Sequence, residues 1–425
     1  METNYKIGVI GLGYVGFPLA CLFSKKYKVI GFDIKQSRVD EINSGMDSTN
    51  EVEPEKVAAA LANGMKCTTY LDDLKECNIY VVATPTPVDD FHNTELMPLK
   101  NASNTVGMVV SKGDIVIYES TVYPGVTEEV CAPIIEQVSG LKLNEDFFLG
   151  YSPERINPGD KVHTVENIKK ITSGSTPETA DIIDELYNSV LKNGTHKAPT
   201  IKVAEAAKIL ENTQRDVNIA FMNEIAQVFN ALGIDTTDVI KAASTKWNFL
   251  TFSPGLVGGH CISVDPYYLI QRATSHGVVP RIMIEARRLN DSMGSYIAER
   301  VIRSMNLHNI VAYNAKILLL GFTFKENCPD IRNTKVIDIY NSLKTYTSDI
   351  HIYDPWVSKE VVKHEYGINV ETDERFLERG KYDAVIYCVK HDCFNNIDMP
   401  TLKKEEGIFY DVKGVIEKTT YTDRL

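Results

Sequence analysis

A short apolar run, Lys6-Ile-Gly-Val-Ile10, meets three glycines at once in Gly11-Leu-Gly-Tyr-Val-Gly16, and an apolar-periodic stretch through Leu19, Cys21, Leu22 and Phe23 follows. Strand, glycine turn and helix in that order leave few folds open. A second strand-like run, Lys28-Val-Ile-Gly-Phe-Asp33, ends on a carboxylate 22 residues after Gly11. In such a unit Gly11 permits the tight turn, Gly13 lets backbone approach a pyrophosphate, and Gly16 lets helix and strand pack closely. The helix N-terminus offers unpaired N–H groups to the phosphates, so the whole turn, with Leu12, Tyr14 and Val15, is expected to face a dinucleotide. Asp33 would accept from a ribose 2′-OH and repel a 2′-phosphate, which favours NAD over NADP, while Lys35 and Arg38 stand close enough to bear on that choice.

Further apolar runs at Ile79 to Ala83 and Asp114 to Tyr118 continue the strand and helix alternation, so a parallel sheet covered on both faces is expected. Gly150 to Pro158 reads as an irregular loop. From Ile201 to Leu232 there is neither Gly nor Pro, and Ala206, Leu210, Thr213, Val217, Ala220, Phe221, Ile225 and Val228 recur at helical spacing. A helix of that length, about 48 Å, outruns a small domain and should join two domains or line a subunit interface. Helical patterns resume from Arg281 to Met305, and the last third restarts the alternation with Lys316 to Gly321, His351 to Asp354, Tyr382 to Tyr387 and Gly407 to Asp411. The fold class expected is α/β, two Rossmann-like doubly wound domains joined by a central long-helix region. The boundaries are 1–195, 196–300 and 301–425.

Composition narrows the partners. The chain of 425 residues carries a formal net charge of −12, so broad attraction to nucleic acid or an anionic membrane is not expected, and cations for an anionic ligand must be local. No apolar stretch approaches a bilayer span and the N-terminus lacks the order of a secretory signal, which reads as a cytoplasmic protein. The 8 cysteines include no Cys-x-x-Cys pair, so neither a disulfide framework nor a metal site is expected.

Chemistry gathers at a few places. Val82-Ala-Thr-Pro-Thr-Pro87 and Glu119-Ser-Thr-Val-Tyr-Pro-Gly125 lie just beyond strand ends, where a doubly wound sheet binds ligands, with Thr84, Pro85 and Thr121 as the candidate contacts. Lys208 and Asn212, four apart on the long helix and off its apolar stripe, could steady a developing oxyanion with directed donors. The densest segment is Gly255-Leu-Val-Gly-Gly-His-Cys-Ile-Ser-Val-Asp265. Its glycines, Gly255 and Gly258 among them, admit a ligand close to the Cys261 sulfur. If Asp265 continues a helical turn from Cys261, its carboxylate lies on the same face, where it could fix a water or a proton. A thiolate near Lys208 would be a competent nucleophile. His260 is a weaker candidate for a base, because adjacent residues point apart in a helix.

Taken together these motifs resemble the UDP-glucose/GDP-mannose dehydrogenase family of nucleotide-sugar 6-dehydrogenases from about Lys6 to Lys413. The resemblance implies an N-terminal NAD domain, a central dimerisation region and a C-terminal domain for the sugar nucleotide. It assigns Cys261 as nucleophile, Asp265 as its partner carboxylate, and Lys208, Asn212 and Thr121 as their helpers. It implies a double oxidation of C6 that consumes two NAD through a thiohemiacetal and a thioester. Glu154, in Tyr151-Ser-Pro-Glu-Arg155, matches the family's loop glutamate and becomes a proton acceptor in hydrolysis. Gly321-Phe-Thr-Phe-Lys-Glu-Asn-Cys-Pro-Asp-Ile-Arg332 resembles the segment that touches both ligands, Phe324 and Lys325 toward the sugar nucleotide and Arg332 toward NAD. Arg155 and Phe252 join the substrate-binding set.

Departures narrow the branch. Arg155 and Pro158 stand where the UDP-glucose branch has an apolar residue and a second carboxylate, so the chain looks like the bacterial branch acting on UDP-N-acetylhexosamines, UDP-GlcNAc or UDP-GalNAc, in capsule or O-antigen synthesis. Lys413 replaces an arginine, a point charge in place of a fork. UDP-glucose or UDP-ManNAc as substrate, an NAD-retaining epimerase and a non-catalytic NAD sensor are the alternatives. The only Tyr-x-x-x-Lys, Tyr340 to Lys344, falls too late in the chain for an epimerase. The long helix suggests at least a homodimer.

Overall fold

The computed structural model describes residues 5–89, 93–156 and 164–425. The chain divides into two compact units, one of Met1–Glu211 with Tyr267–Val278 and one of Asn212–Pro266 with Val279–Leu425. The first unit holds β1 (Lys6–Ile10), β2 (Lys28–Phe32), β3 (Lys66–Thr68), β4 (Ile79–Val82), β5 (Ile115–Tyr118) and β6 (Phe148–Tyr151), in the order β3-β2-β1-β4-β5-β6. Every pairing in that sheet is parallel. Ile7, Val9, Val81, Val116 and Ile117 are buried as strands covered on both faces require. The order reverses between β1 and β4, so the loops after those two strands diverge and leave a crevice at their C-terminal ends. A two-stranded parallel pair, β7 (Lys170–Thr172) and β8 (Thr195–Lys197), completes the strands of this unit.

The second unit carries β9 (Ile317–Leu320), β10 (Ile350–Tyr353), β11 (Tyr382–Tyr387), β12 (Lys403–Asp411) and β13 (Asp423–Arg424), ordered β10-β9-β11-β12-β13 and again all parallel. Its core joins Leu319, Ile386 and Ile408 of the sheet to Met293, Ile297 and Val301 of the helix Arg281–Leu307. Two doubly wound α/β sheets and a long-helix region are therefore present. The loop expected over 150–158 begins later, because Gly150 and Tyr151 extend β6 by pairing with Ile117 and Tyr118. Pro158 lies outside the described residues.

The long helix runs from Ile201 to Leu232, and the boundary between units falls inside it. Its apolar stripe is only partly covered, with Thr213 and Ala220 buried. Leu210, Phe221 and Val228 of the apolar stripe are exposed, while Glu205, Lys208, Asn212, Asp216 and Asn223 are buried. The polar face is inward because each unit gives it partners. In the second unit the Arg287 guanidinium donates to Asp216 at 2.5 Å and to Asp291 at 2.7 Å. Asn290 donates to the Asp216 carboxylate at 2.7 Å, and Asn223 donates to Asn290 at 2.8 Å. A buried charge whose only cation is removed loses far more than the pair gains over apolar residues. Arg287→Met, which leaves the Asp216 carboxylate buried without its cation, is expected to lower stability by about 3–5 kcal/mol in chemical denaturation.

Candidate active site

In the first unit the glycine turn is built for a ligand that needs backbone. Gly11 sits at φ +91, and a Cβ there would lie 2.8 Å from the Ala83 carbonyl. One on Gly16 would lie 1.9 Å from the Gly11 carbonyl, whereas a Cβ on Gly13 would meet nothing within 4 Å. The turn is therefore closed on the protein side and open at Gly13. The Leu12 N–H donates to Asp33 at 2.9 Å, and the Lys35 N–H donates to the other oxygen of the same carboxylate at 2.9 Å. Open backbone beside a carboxylate at the end of β2 fits a dinucleotide. Arg38 is turned inward: its guanidinium donates to the Leu12 carbonyl at 2.8 Å, to Glu41 at 2.7 Å and to Asp47 at 2.7 Å. Those bonds brace the turn from behind.

The two loops beyond β4 and β5 are sewn to each other. Ser120 Oγ donates to the Thr84 carbonyl at 2.7 Å, and Thr86 Oγ1 donates to the Thr121 carbonyl at 2.7 Å, with Pro85 exposed between them. Glu205, fully buried on the long helix, accepts the N–H groups of Gly125 at 2.5 Å and Thr127 at 3.0 Å. It anchors the far end of the segment that carries Thr121. Burial pushes the Glu205 carboxyl up to about 7 although those amides pull it down.

Glu154 follows β6 and is buried. Its Oε1 accepts the N–H groups of Arg155 and Ile156. Its Oε2 lies 3.5 Å from Lys170 Nζ, and no hydrogen bond reaches that oxygen among the described residues. Lys170 in turn donates to Glu119 at 2.7 Å and to the Pro153 carbonyl at 3.2 Å, and the Tyr187 hydroxyl donates to the other oxygen of Glu119. Burial alone would lower the Lys170 ammonium, but Glu119 and Glu154 outweigh it and hold it above the usual lysine range. Burial pushes Glu119 up to about 7 against the pull of Lys170, since two buried carboxylates share one cation. Arg155 forks onto Glu211 at 2.7 and 3.2 Å.

In the second unit the expected turn is present: the Asp265 N–H donates to the Cys261 carbonyl at 2.8 Å, and the helix Asp265–Ser275 starts there. Sulfur and carboxylate thus rise from successive turns of one local structure. Asn212 Nδ2 donates to Asp265 Oδ2, so the amide and the carboxylate expected to serve the reaction are in contact. Asp265 and Asn212 are buried, whereas Cys261 is half-buried. Gly258 and Gly259 pack against the segment that follows β9. A Cβ on the first would lie 2.5 Å from the Asn333 carbonyl, and one on the second would lie 2.8 Å from the Phe324 ring. Asn223 holds Gly255 from both sides, accepting its N–H at 2.7 Å and donating to its carbonyl at 3.0 Å. Phe252, just before, is half-buried.

A small cleft opens at the C-terminal ends of β9, β11 and β12, with Gly258, Phe324, Lys325, Lys335 and Lys413 in its lining. Lys335 pairs with Asp291 at 2.9 Å and Asp338 at 3.2 Å, and with Lys325 and Lys413 it gathers the local positive charge that an acidic chain needs for an anionic ligand. Arg332 folds back onto Asp330 at 2.6 Å, and His260 Nε2 meets the same carboxylate oxygen at 2.8 Å. Burial, with Arg332 adding to it against Asp330, lowers His260 to about 4. The ring is therefore neutral at pH 7.

Sequence reading missed Glu119, Lys170, Tyr187, Glu205, Asp330 and Lys335. Glu205 carried a usable signal, since 205, 208 and 212 share one helical face. Lys170 carried none, because its partners lie 51 and 16 residues earlier in the chain.

Comparison with known proteins follows the same order along the chain. Residues 5–191 match the UDP-glucose/GDP-mannose dehydrogenase family NAD binding domain, residues 202–292 its central domain and residues 318–418 its UDP binding domain. A UDP-N-acetyl-D-glucosamine 6-dehydrogenase of Pseudomonas aeruginosa is 53% identical over 99% of this chain and 100% of its own length. One of Salmonella typhi is 50% identical over 97% of this chain and 96% of its own. Among solved structures, the UDP-D-ManNAc dehydrogenase of Pyrococcus horikoshii superposes with a TM-score of 0.89 at 29% identity, covering 99% of this chain and 98% of that one. No helix among the described residues is long and apolar enough to cross a membrane.

His260 gives this site a pH signature. Its folded value of about 4 lies below the ordinary 6.5, so the unfolded chain takes up the proton first as pH falls. The ring's contribution to stability is therefore full above pH 6.5 and is lost as pH falls through 4. Thermal denaturation at pH 7, 5.5 and 4.5 is expected to show the unaltered protein losing up to about 3 kcal/mol more than His260→Gln across that range.

Proposed function

The chain belongs to the UDP-glucose/GDP-mannose dehydrogenase family, and from that premise we propose that it oxidises the C6 hydroxyl of UDP-N-acetylglucosamine to a carboxylate, with release of two NADH. The observation that carries the reading is the turn that sets Cys261 beside Asp265, with the Asn212 amide donating to that carboxylate. NAD, when bound, accepts a hydride from C6 in each oxidation. The glycine turn and Asp33 hold the dinucleotide, and Arg38 acts on it indirectly by bracing Leu12. Thr84, Thr121 and Arg332 are assigned as further contacts of NAD.

Cys261 adds through sulfur to the C6 aldehyde, and the hemithioacetal so formed loses its hydroxyl proton to water and the second hydride from C6 to become a thioester. Asn212 and Lys208 act as donors to the oxygen on C6 as it gains charge. Asp265 and Thr121 orient water for the last step, in which the carbon–sulfur bond breaks, the thiol reforms and the acid leaves. Glu154 accepts the proton of that water, and its buried Oε2, with no hydrogen bond on it, supports the role. Phe324, Lys325 and Lys413, in the cleft of the second unit, receive the uridine diphosphate, with Gly255, Gly258, Phe252 and Arg155 shaping the sugar subsite.

The functional division 1–195, 196–300 and 301–425 is kept, with a homodimer formed on the exposed apolar face of the long helix at Leu210, Phe221 and Val228. Catalysis through a free thiol favours a reducing, cytoplasmic setting.

Incubation with limiting UDP-N-acetylglucosamine and excess NAD is expected to yield two NADH per sugar and a uronic acid. UDP-GalNAc, UDP-ManNAc and UDP-glucose are expected to react more slowly at equal concentration. Cys261→Ser is expected to lower kcat roughly a thousandfold. One NADH per sugar, or an unimpaired Cys261→Ser enzyme, would contradict the reading.

A further inference from the structure

Four groups in the first unit are buried more deeply than the reaction scheme explains. Lys170, Glu119 and Tyr187 are fully enclosed, and Glu154 is nearly so. An enclosed ammonium is costly unless its donors are used, and two of the three are: one goes to Glu119 at 2.7 Å and one to the Pro153 carbonyl at 3.2 Å. The third faces Glu154 Oε2 from 3.5 Å, close enough for charge to be felt and too far for a good hydrogen bond. The restraint on the other side is visible. Glu119 is itself held by the Tyr187 hydroxyl, and the Tyr187 ring lies beside the same ammonium, 5.6 Å from centroid to Nζ.

We propose that Lys170 is a positioning residue for Glu154: Glu119 and Pro153 tether its ammonium 3.5 Å from Glu154 Oε2, where it holds the carboxylate in place yet leaves Oε2 open to take a proton from water. The proposal rests on the reading of Glu154 as the base in thioester hydrolysis. A closer lysine would occupy the lone pair that the water proton needs. With no lysine, the Arg155 and Ile156 amides on Oε1 would be left to hold the enclosed carboxylate, and Oε2 would lose the group that fixes its direction. Glu119 is thereby given a purpose beyond charge balance, since it draws the ammonium away from Glu154.

The test separates hydrolysis from the hydride transfers that precede it. Lys170→Met should lower kcat about 100-fold, at the lower end of a general base's contribution. In rapid mixing with UDP-N-acetylglucosamine and NAD, it should release a fast burst of two NADH per active site before the slow steady state. Lys170→Arg should recover a large part of kcat and lose the burst. Glu119→Gln/Lys170→Met, which removes both charges of the tight pair, serves if the single variant does not fold, and should show the same burst. A fall in kcat with no burst, or no fall at all, overturns the proposal and leaves Lys170 a structural residue. If the unaltered enzyme forms anything other than two NADH per sugar, the functional reading itself fails and takes this inference with it.

Discussion

Backbone amides beyond the ends of parallel strands have no strand partner, and in both units carboxylates take them. Asp33 accepts from Leu12 and Lys35 after β1 and β2, and Glu205 from Gly125 and Thr127 after β5. Asp354 accepts from Phe322 and Thr323 after β9, and Asp411 from Lys413, Gly414 and Ile416 after β12. Glu205, Asp354 and Asp411 are fully buried. Each therefore fixes a loop at the edge where a doubly wound sheet binds its ligands. The rest of the site depends on this, because glycines at 11, 13 and 16 and cations at 325 and 413 are useful only if the loops carrying them do not move.

The same constraint resolves an apparent conflict in charge. A chain with a net charge of −12 is a poor long-range attractor for a nucleotide diphosphate. The ion pairs of Asp47 with Arg38, Asp216 with Arg287, Glu119 with Lys170 and Asp235 with Arg424 each take one cation for one carboxylate and leave that balance unchanged, so attraction must come from where the other cations stand. Lys325 and Lys413 line one cleft of the second unit beside Lys335, which pairs with Asp291 and Asp338. Recognition is left to directed amides and a few placed cations.

Much of this was legible in the sequence where a local rule applies. The glycine turn, the alternation of strands and helices and the extent of the helix over 201–232 follow from spacing alone. The turn from Cys261 to Asp265 follows from a four-residue separation. The buried carboxylates were not legible, since Glu119 meets Lys170 only when β5 and β7 have been placed, and nothing near either residue marks the other. Which face of the long helix this chain covers was not legible, for a physical reason. Apolar periodicity says that one face leaves water; it does not say whether the same chain covers it. Here Leu210 and Phe221 are exposed and the polar face with Asp216 and Asn223 is inside, because partners from the Arg281–Leu307 helix and the Gly255 backbone satisfy it.

The central claim is that the sulfur of Cys261 carries the sugar between its two oxidations. The most direct measurement is to quench the enzyme with acid during turnover on UDP-N-acetylglucosamine and NAD, then digest it and weigh its peptides. The account predicts an adduct with the mass of the acylated sugar nucleotide on the peptide containing Cys261 and on no other cysteine peptide. Rapid turnover with Cys261 unmodified at every quench time, or an adduct on a different residue, would contradict it.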